Sequence, residues 1–247
     1  MRIVAVIPSR YESTRFEGKP LALIAGKPMI QWVYESASRA SRTSEVVVAT
    51  DDQRIFDAVQ RFNGRVLMTS RAHRSGSDRV AEAVDQLGLS GEDIAINIQG
   101  DQPLVHPACF DAVVEPLLEA SDATMSTLAF PVVDRREYTS PKDCKVVMDD
   151  HGNALYFSRA PIPFARDGGE DFTVYKHLGV YAYTRRFLES FRRLPTGRLE
   201  TIEKLEQLRA LEHGLRIKVV VTPHDSPEVD LPEDIGRIEA ILRHLQK

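Results

Sequence analysis

The run Ile3-Val-Ala-Val-Ile7 lies almost at the start of the chain and empties directly into a cation-rich loop; it constrains the fold more than any other feature. A short, continuous apolar run rich in β-branched residues fits a strand covered on both faces, as in parallel sheets flanked by helices. The strand is expected over 2–8. The loop 9–19 that follows holds Arg10, Arg15 and Lys19, with Ser9, Ser13, Thr14 and Gly18 between them. Further helix and strand patterns alternate: helix 28–41, strand 45–50, helix 52–62, strand 65–68, helix 78–88, strand 93–98 and helix 107–119. This alternation predicts an α/β fold, a mostly parallel sheet wound on both faces.

The rhythm changes after about residue 123. Strands are expected over 124–132, 145–148, 154–158 and 177–184, the middle two joined across the turn signal Asp149-Asp-His-Gly-Asn153. A loop over 160–174 contains Pro161, Pro163, Gly168 and Gly169 and reads as a flexible lid or a dimer contact. One helix is expected over 199–213, ended by Gly214. A strand over 216–222 and a helix over 233–245 complete the pattern.

With 32 Lys and Arg against 36 Asp and Glu, the net charge is −4, so no global basic field exists for nucleic acid or an anionic membrane. No apolar run approaches the roughly 18 residues of a membrane-spanning helix, and the N-terminus lacks a signal-peptide pattern. Cys109 and Cys144 are far apart and form no CxxC, so neither a zinc site nor a disulfide framework is indicated. A soluble cytoplasmic protein is expected.

The loop after the first strand lacks both the Walker A pattern and GxGxxG. Its Arg residues suit bidentate phosphate contacts and its Lys a point contact; Glu12 and Glu17 equally allow a solvated loop of mixed charge. Asp101, in Asn97-Ile-Gln-Gly-Asp-Gln-Pro103, falls at the C-terminal end of an apolar strand, where open α/β sheets bind ligands. It reads as a Mg²⁺ ligand or as a turn residue bonding its own backbone. Asp230, in Glu228-Val-Asp230, gains weight as a partner if strand 216–222 lies beside the strand that delivers Asp101. On helix 199–213, Ile202, Leu205, Leu208 and Leu211 form the apolar set, and Glu200, Glu203 or Lys204, and Gln207 lie on another face. Arg159 and His177 are isolated and carry no reading alone.

Together these motifs resemble the 3-deoxy-manno-octulosonate (Kdo) cytidylyltransferases. The resemblance rests on Ile7-Pro-Ser-Arg-Tyr-Glu-Ser-Thr-Arg-Phe-Glu-Gly-Lys-Pro-Leu21, Val48-Ala-Thr-Asp51, Ser75-Gly76 with Arg79, and Gln99-Gly-Asp-Gln-Pro103. It continues through Ala154–Ala160, His177-Leu-Gly-Val-Tyr181, Glu203–Arg209 and Val229-Asp230, and spans essentially the whole chain. It implies a Rossmann-like nucleotidyltransferase fold in one domain: about 1–122 and 214–247 as the nucleotide core, and about 123–213 as a strand-rich sugar-binding and dimerisation part. It further implies transfer of CMP from CTP to the anomeric hydroxyl of Kdo, Mg²⁺ dependence, a homodimer and a role in lipopolysaccharide assembly.

By the same resemblance, Arg10, Arg15 and Lys19 contact the CTP phosphates, Ser13 belongs to the same site, and Ser75 and Gly76 lie near the cytosine. Asp101 and Asp230 hold Mg²⁺, with Lys19, Arg15 and Asp101 as the catalytic set. Gln99, Arg159, His177, Tyr181, Glu200 and Gln207 line the sugar pocket. Five positions depart from the usual pattern: Glu17 for Pro, Gln102 for Glu, Ser77-Asp78 for Thr-Glu, and Leu231 for a Thr able to cap the last helix. Gln102 and the stretch 175–187 resemble a branch acting on 8-amino-3,8-dideoxy-Kdo, which stays an alternative sugar. A sialic-acid-type enzyme is disfavoured by the form of the phosphate loop, and a non-catalytic binding regulator is the alternative of another class.

Overall fold

Alternation along the first strand sorts the core into two layers. In the computed structural model, which describes residues 1–13, 15–73, 75–119, 123–168 and 172–245, Val4 and Val6 face one cluster with Val80, Ala83 and Val84. Ile3, Ala5 and Ile7 face the other, with Ile30, Val33, Ile55 and Phe110. A strand with both pleats buried needs helices on both sides, and the chain supplies them. Thr14 and Gly169 lie outside the described residues.

In chain order the elements are β1 (Ile3–Ser9), β2 (Leu23–Ile24), β3 (Lys27–Pro28), α1 (Met29–Ala37), β4 (Glu45–Thr50), α2 (Gln53–Arg61) and β5 (Val66–Met68). Then come α3 (Gly76–Gln86), β6 (Ile94–Ile98), α4 (Pro107–Leu118), β7 (Met125–Pro131), α5 (Arg135–Thr139), β8 (Lys145–Met148), β9 (Ala154–Ser158) and β10 (Tyr175–Thr184). The chain continues through α6 (Arg185–Arg193), α7 (Arg198–Glu203), α8 (Leu208–Glu212), β11 (Lys218–Val221) and α9 (Asp234–Leu245). Among the described residues the main sheet runs β11-β7-β10-β6-β1-β4-β5, with the β8–β9 hairpin paired to β10. β10 is antiparallel to β6 and β7, whereas the neighbouring pairs β1–β4, β1–β6, β4–β5 and β7–β11 are parallel. The sheet is therefore mixed and mostly parallel, as expected.

β1 sits between β4 and β6, where the order of connection reverses. The crevice beyond the carboxyl ends of β1 and β6 is the usual ligand position in such sheets. It is bordered by the loop after Ser9 and by the turn from Gln99 to Gln102. Two helix starts approach it, each capped by its own side chain: Asp52 accepts from Arg54 N, and Ser75 from Asp78 N. Arg79 on α3 is 1% exposed and donates to Thr69 Oγ1 and to Asp51 Oδ2, the latter at 2.7 Å. It thereby ties the ends of β4 and β5 to α3.

Three expectations are corrected. The single helix 199–213 is two, because Lys204 turns left-handed at φ 55° and ends α7. Ile202 of the expected apolar stripe is 68% exposed, while Leu205 and Leu208 are buried. The strand before Asp230 does not lie beside β6, since β7 and β10 intervene. α6 is an unforeseen helix whose Phe187, Leu188 and Phe191 are buried under a charged outer face. With Leu231 in place of a capping side chain, Asp234 Oδ2 instead ties the chain entering α9, accepting from the N–H groups of both Asp230 and Leu231 at 2.9 Å.

Removing the buried guanidinium of Arg79 strands the Asp51 carboxylate without its partner, a change that costs about 3–5 kcal/mol at buried pairs. R79M is expected to lower unfolding stability by about 3 kcal/mol in urea titration; a loss under about 1 kcal/mol would refute this anchoring role.

Candidate active site

The loop after β1 closes on itself before it offers any charge. Gly18 N donates to Tyr11 O at 2.9 Å, and Gly18 adopts φ 70°. A Cβ there would meet the Tyr11 ring at 3.1 Å. The return places Lys19 at the crevice, where its ammonium donates to Asp101 Oδ2 at 2.8 Å and lies 3.8 Å from Asp230 Oδ1. Arg15 Nη1 donates to Asp230 Oδ2 at 2.9 Å. Asp230 arrives on the extended segment before α9, stitched to the end of β6 by Val229 N donating to Asp101 O at 2.9 Å. Its carboxylate pairs with Arg15 and Lys19 and, among the described residues, takes no helix N–H. Glu17 is exposed and lies within electrostatic reach of Arg54.

This cluster opens into a cavity of about 580 Å³. Arg15, Gln99, Asp101, Arg159, His177, Tyr181, Gln207 and Asp230 all line it. Arg10 and Ser13 are exposed on the loop, and Ser75 and Gly76 begin α3 beside Pro8, off the lining. Glu200 is the expected residue that the structure turns elsewhere. It holds Arg209 through two bonds of 2.8 and 2.5 Å and accepts from Gly197 N, because the break at Lys204 rotates α7 away.

The same break brings in Glu206, which the sequence pattern missed by assuming one continuous helix. Its Oε2 accepts from Ser77 Oγ at 2.9 Å, and burial pushes its carboxyl above the usual range. Glu228 also lines the cavity. Gln102 Nε2 donates to it at 2.9 Å, and the surrounding protein, followed by the Asp101 charge, raises its carboxyl. Its signal was present in the sequence, since residues i and i+2 of an extended segment share a side. On the opposite wall Arg159 is fixed by the carbonyls of Glu203 and Pro141, at 2.9 and 3.0 Å. Fully buried Lys145 donates to the carbonyls of Ser140, Asp143 and Arg159.

The cavity is rich in unfinished hydrogen bonding. Asn97 Oδ1, Gln102 Oε1, Glu206 Oε1, Gln207 Nε2 and Ser226 Oγ are buried with no hydrogen-bond partner among the described residues, although Arg209 Nη2 lies 3.6 Å from Glu206 Oε1. All but Gln102 belong to lining residues. Buried polar atoms are nearly always satisfied, so a concentration of acceptors with a donor among them fits a polyhydroxylated ligand. Gly179 lets Gln99 lie flat here, since a Cβ would come within 2.8 Å of Gln99 Cγ. Burial pushes both thiols up, Cys144 to about 12, which makes that sulfur a poor nucleophile.

Asp101 and Asp230 offer hard oxygen donors with a cation already lying between them, the donor chemistry that suits Mg²⁺ alongside substrate phosphates. Among the described residues no cluster of three or more His, Cys, Asp or Glu adds further ligands.

A cytidylyltransferase family model matches residues 4–217. The chain belongs to the cytidylyltransferase family. It is 63% identical over 243 residues to a protein of Desulfatibacillum aliphaticivorans named 3-deoxy-manno-octulosonate cytidylyltransferase, covering 98% of this chain and 99% of that protein. It is 55% identical over 244 residues to a protein of Shewanella piezotolerans named 8-amino-3,8-dideoxy-manno-octulosonate cytidylyltransferase, covering 98% and 99%. Among solved structures, a CMP:2-keto-3-deoxy-manno-octonic acid synthetase complexed with CTP superposes at TM-score 0.92 with 38% identity, covering 99% of this chain and 100% of that one. This cytidylyltransferase therefore has the sheet and helix arrangement of that synthetase.

Burial pushes His177 down to about 3, so it stays neutral near pH 7. The unfolded chain binds a proton at this residue below about pH 6.5, and the folded chain does not. The contribution is complete above that pH and is lost as pH falls from 6.5 toward 3. Stability measured from pH 7 to 5 should fall less steeply in H177Q than in the parent; equal slopes would refute this.

Proposed function

We propose that this chain transfers the cytidylyl group of CTP to the anomeric hydroxyl of Kdo, releasing pyrophosphate. The observation that carries the reading is one cavity with two chemistries. Arg15, Asp101 and Asp230 line it as a charge cluster, with Lys19 bonded to Asp101 just off the lining, and Gln99, Glu206 and Gln207 of the same lining present polar groups suited to sugar hydroxyls. The 63% relationship favours Kdo as the acceptor.

In this reading Arg15 and Lys19 exchange their carboxylate partners for phosphate oxygens and stabilise charge on the departing pyrophosphate. Arg10 and Ser13 extend the grip on the triphosphate, and the start of α3 at Ser75 and Gly76 borders the base. Asp101 and Asp230 would hold Mg²⁺, which when bound supplies Lewis acidity toward phosphate oxygens and the attacking hydroxyl. Arg159 meets the sugar carboxylate. Gln99, His177, Tyr181, Glu206 and Gln207 orient the sugar, so that the hydroxyl is held in line with the α-phosphate. Glu200 acts at one remove, tying α7 to Arg209 of α8.

The Shewanella relationship supports 8-amino-3,8-dideoxy-Kdo as the second reading, since the 8-amino sugar presents the same acid and anomeric hydroxyl. We further infer a cytoplasmic homodimer that supplies activated sugar for lipopolysaccharide assembly. Among the described residues no helix is long and apolar enough to cross a membrane. Val133, Leu155 and Phe164 are 81%, 61% and 81% exposed on the part assigned to dimerisation.

Pyrophosphate release with CTP, crossed against Kdo, 8-amino-Kdo and a sialic acid, tests the reading. Release with Kdo is expected, turnover of the amino sugar alone would transfer the assignment to it, and silence with every acceptor would remove the catalytic reading. D101N should cut turnover by about 10²–10³-fold while its melting temperature stays within a few degrees of the parent. Near-parental turnover at saturating Mg²⁺ would exclude Asp101 as a ligand.

A further inference from the structure

β10 carries an irregularity at the cavity wall. Against β7, Leu178 pairs with Leu128 and Tyr181 with Thr127, so Gly179 and Val180 have no opposite residue there. Such a bulge leaves backbone groups to find other partners and re-aims neighbouring side chains. Here the side chain of Thr127, fully buried on β7, fills the gap. Its Oγ1 lies 2.8 Å from Val180 O, 3.4 Å from Leu178 O and 3.0 Å from His177 Nε2.

A threonine hydroxyl has one hydrogen, and a carbonyl oxygen can only accept. If that hydrogen pointed at His177, the hydroxyl oxygen would face two carbonyl oxygens with nothing between them. The favourable arrangement commits it to Val180 O, the nearer carbonyl. Oγ1 then has only lone pairs for the imidazole, so Nε2 must be the donor. Phe157 packs edge-on to the ring at 5.3 Å and Tyr181 lies against it at 5.2 Å. These neighbours limit ring rotation, and Nδ1 has no partner among the described residues.

We propose that Thr127 is a positioning residue: its hydroxyl locks His177 as the Nε2–H tautomer and leaves Nδ1 as a bare acceptor for a hydrogen-bond donor on the substrate. The inference rests on the reading of His177 as a sugar-pocket residue, and it fixes the polarity of that contact. A hydroxyl or ammonium hydrogen is accepted at Nδ1; a carbonyl or carboxylate oxygen in the same place is repelled. Neutrality of the ring, already argued from its burial, keeps the second proton off.

The test is the ¹⁵N signature of His177 in uniformly labelled full-length protein at pH 7, assigned by its loss in H177Q. The parent and T127S are expected to show protonated Nε2 and unprotonated Nδ1. T127V, similar in shape but without the hydroxyl, should lose that signature for a mixture or the opposite tautomer. Its KM for the sugar should rise about tenfold, the scale of one oriented hydrogen bond, with kcat within about twofold; T127S should restore both. Protonated Nδ1 in the parent overturns the proposal, even if T127V does not fold. A T127V spectrum identical to the parent's overturns it as well. A lost signature with sugar KM unchanged in T127V and H177Q alike upholds the lock and overturns the sugar reading of His177.

Discussion

The ion cluster around Lys19 is the contact on which the site depends. Sheet pairing alone does not bring Asp230 to Asp101, because β11 is separated from β6 by two strands. The ammonium spans that gap: it binds Asp101, lies close to Asp230 and donates to Val229 O at 3.1 Å. A loop near residue 19 thus fixes the end of β6 and a segment more than two hundred residues later. The cluster also changes what phosphate binding means. Arg15 and Lys19 are already paired with carboxylates, so any phosphate that binds here must exchange partners instead of filling a bare positive pocket. Its affinity is the difference between two sets of charge-assisted bonds.

β10 is the second organising element. It runs against its neighbours and has the cavity on one side of its bulge, so a single strand delivers both His177 and Tyr181. Its irregular stretch is matched by Gln99, the residue after β6, whose side chain occupies the space that a Cβ on Gly179 would fill. The cavity wall at β10 is thus shaped by backbone irregularity as much as by side-chain identity.

The parallel half of the fold was legible because its strands are short apolar runs punctuated by helical patterns, as in 3–7, 45–50 and 94–98. Asp101 was legible from its place at a strand end. The break at Lys204 was not, since a non-glycine residue in left-handed conformation leaves no mark on hydrophobic periodicity; the resemblance alone put Glu200 at the cavity, and the helical pattern gave no sign that the break turns it away and brings in Glu206. α6 was hidden by its composition, with charge at most positions around Phe187, Leu188 and Phe191. Thr127 carried no signal, because its role depends on a register shift between strands about fifty residues apart.

The unpaired polar atoms of the cavity have a consequence for the chain as a whole. Each buried donor or acceptor without a partner weighs against the folded state by about 1–3 kcal/mol, and here several gather in one place. A ligand or solvent molecule that answers them repays the fold as well as the site, because whatever binds only the native state stabilises it. The thermal endurance of this protein is then shared property: the polypeptide supplies most of it, and whatever occupies the cavity completes a hydrogen-bond inventory that the sequence leaves open.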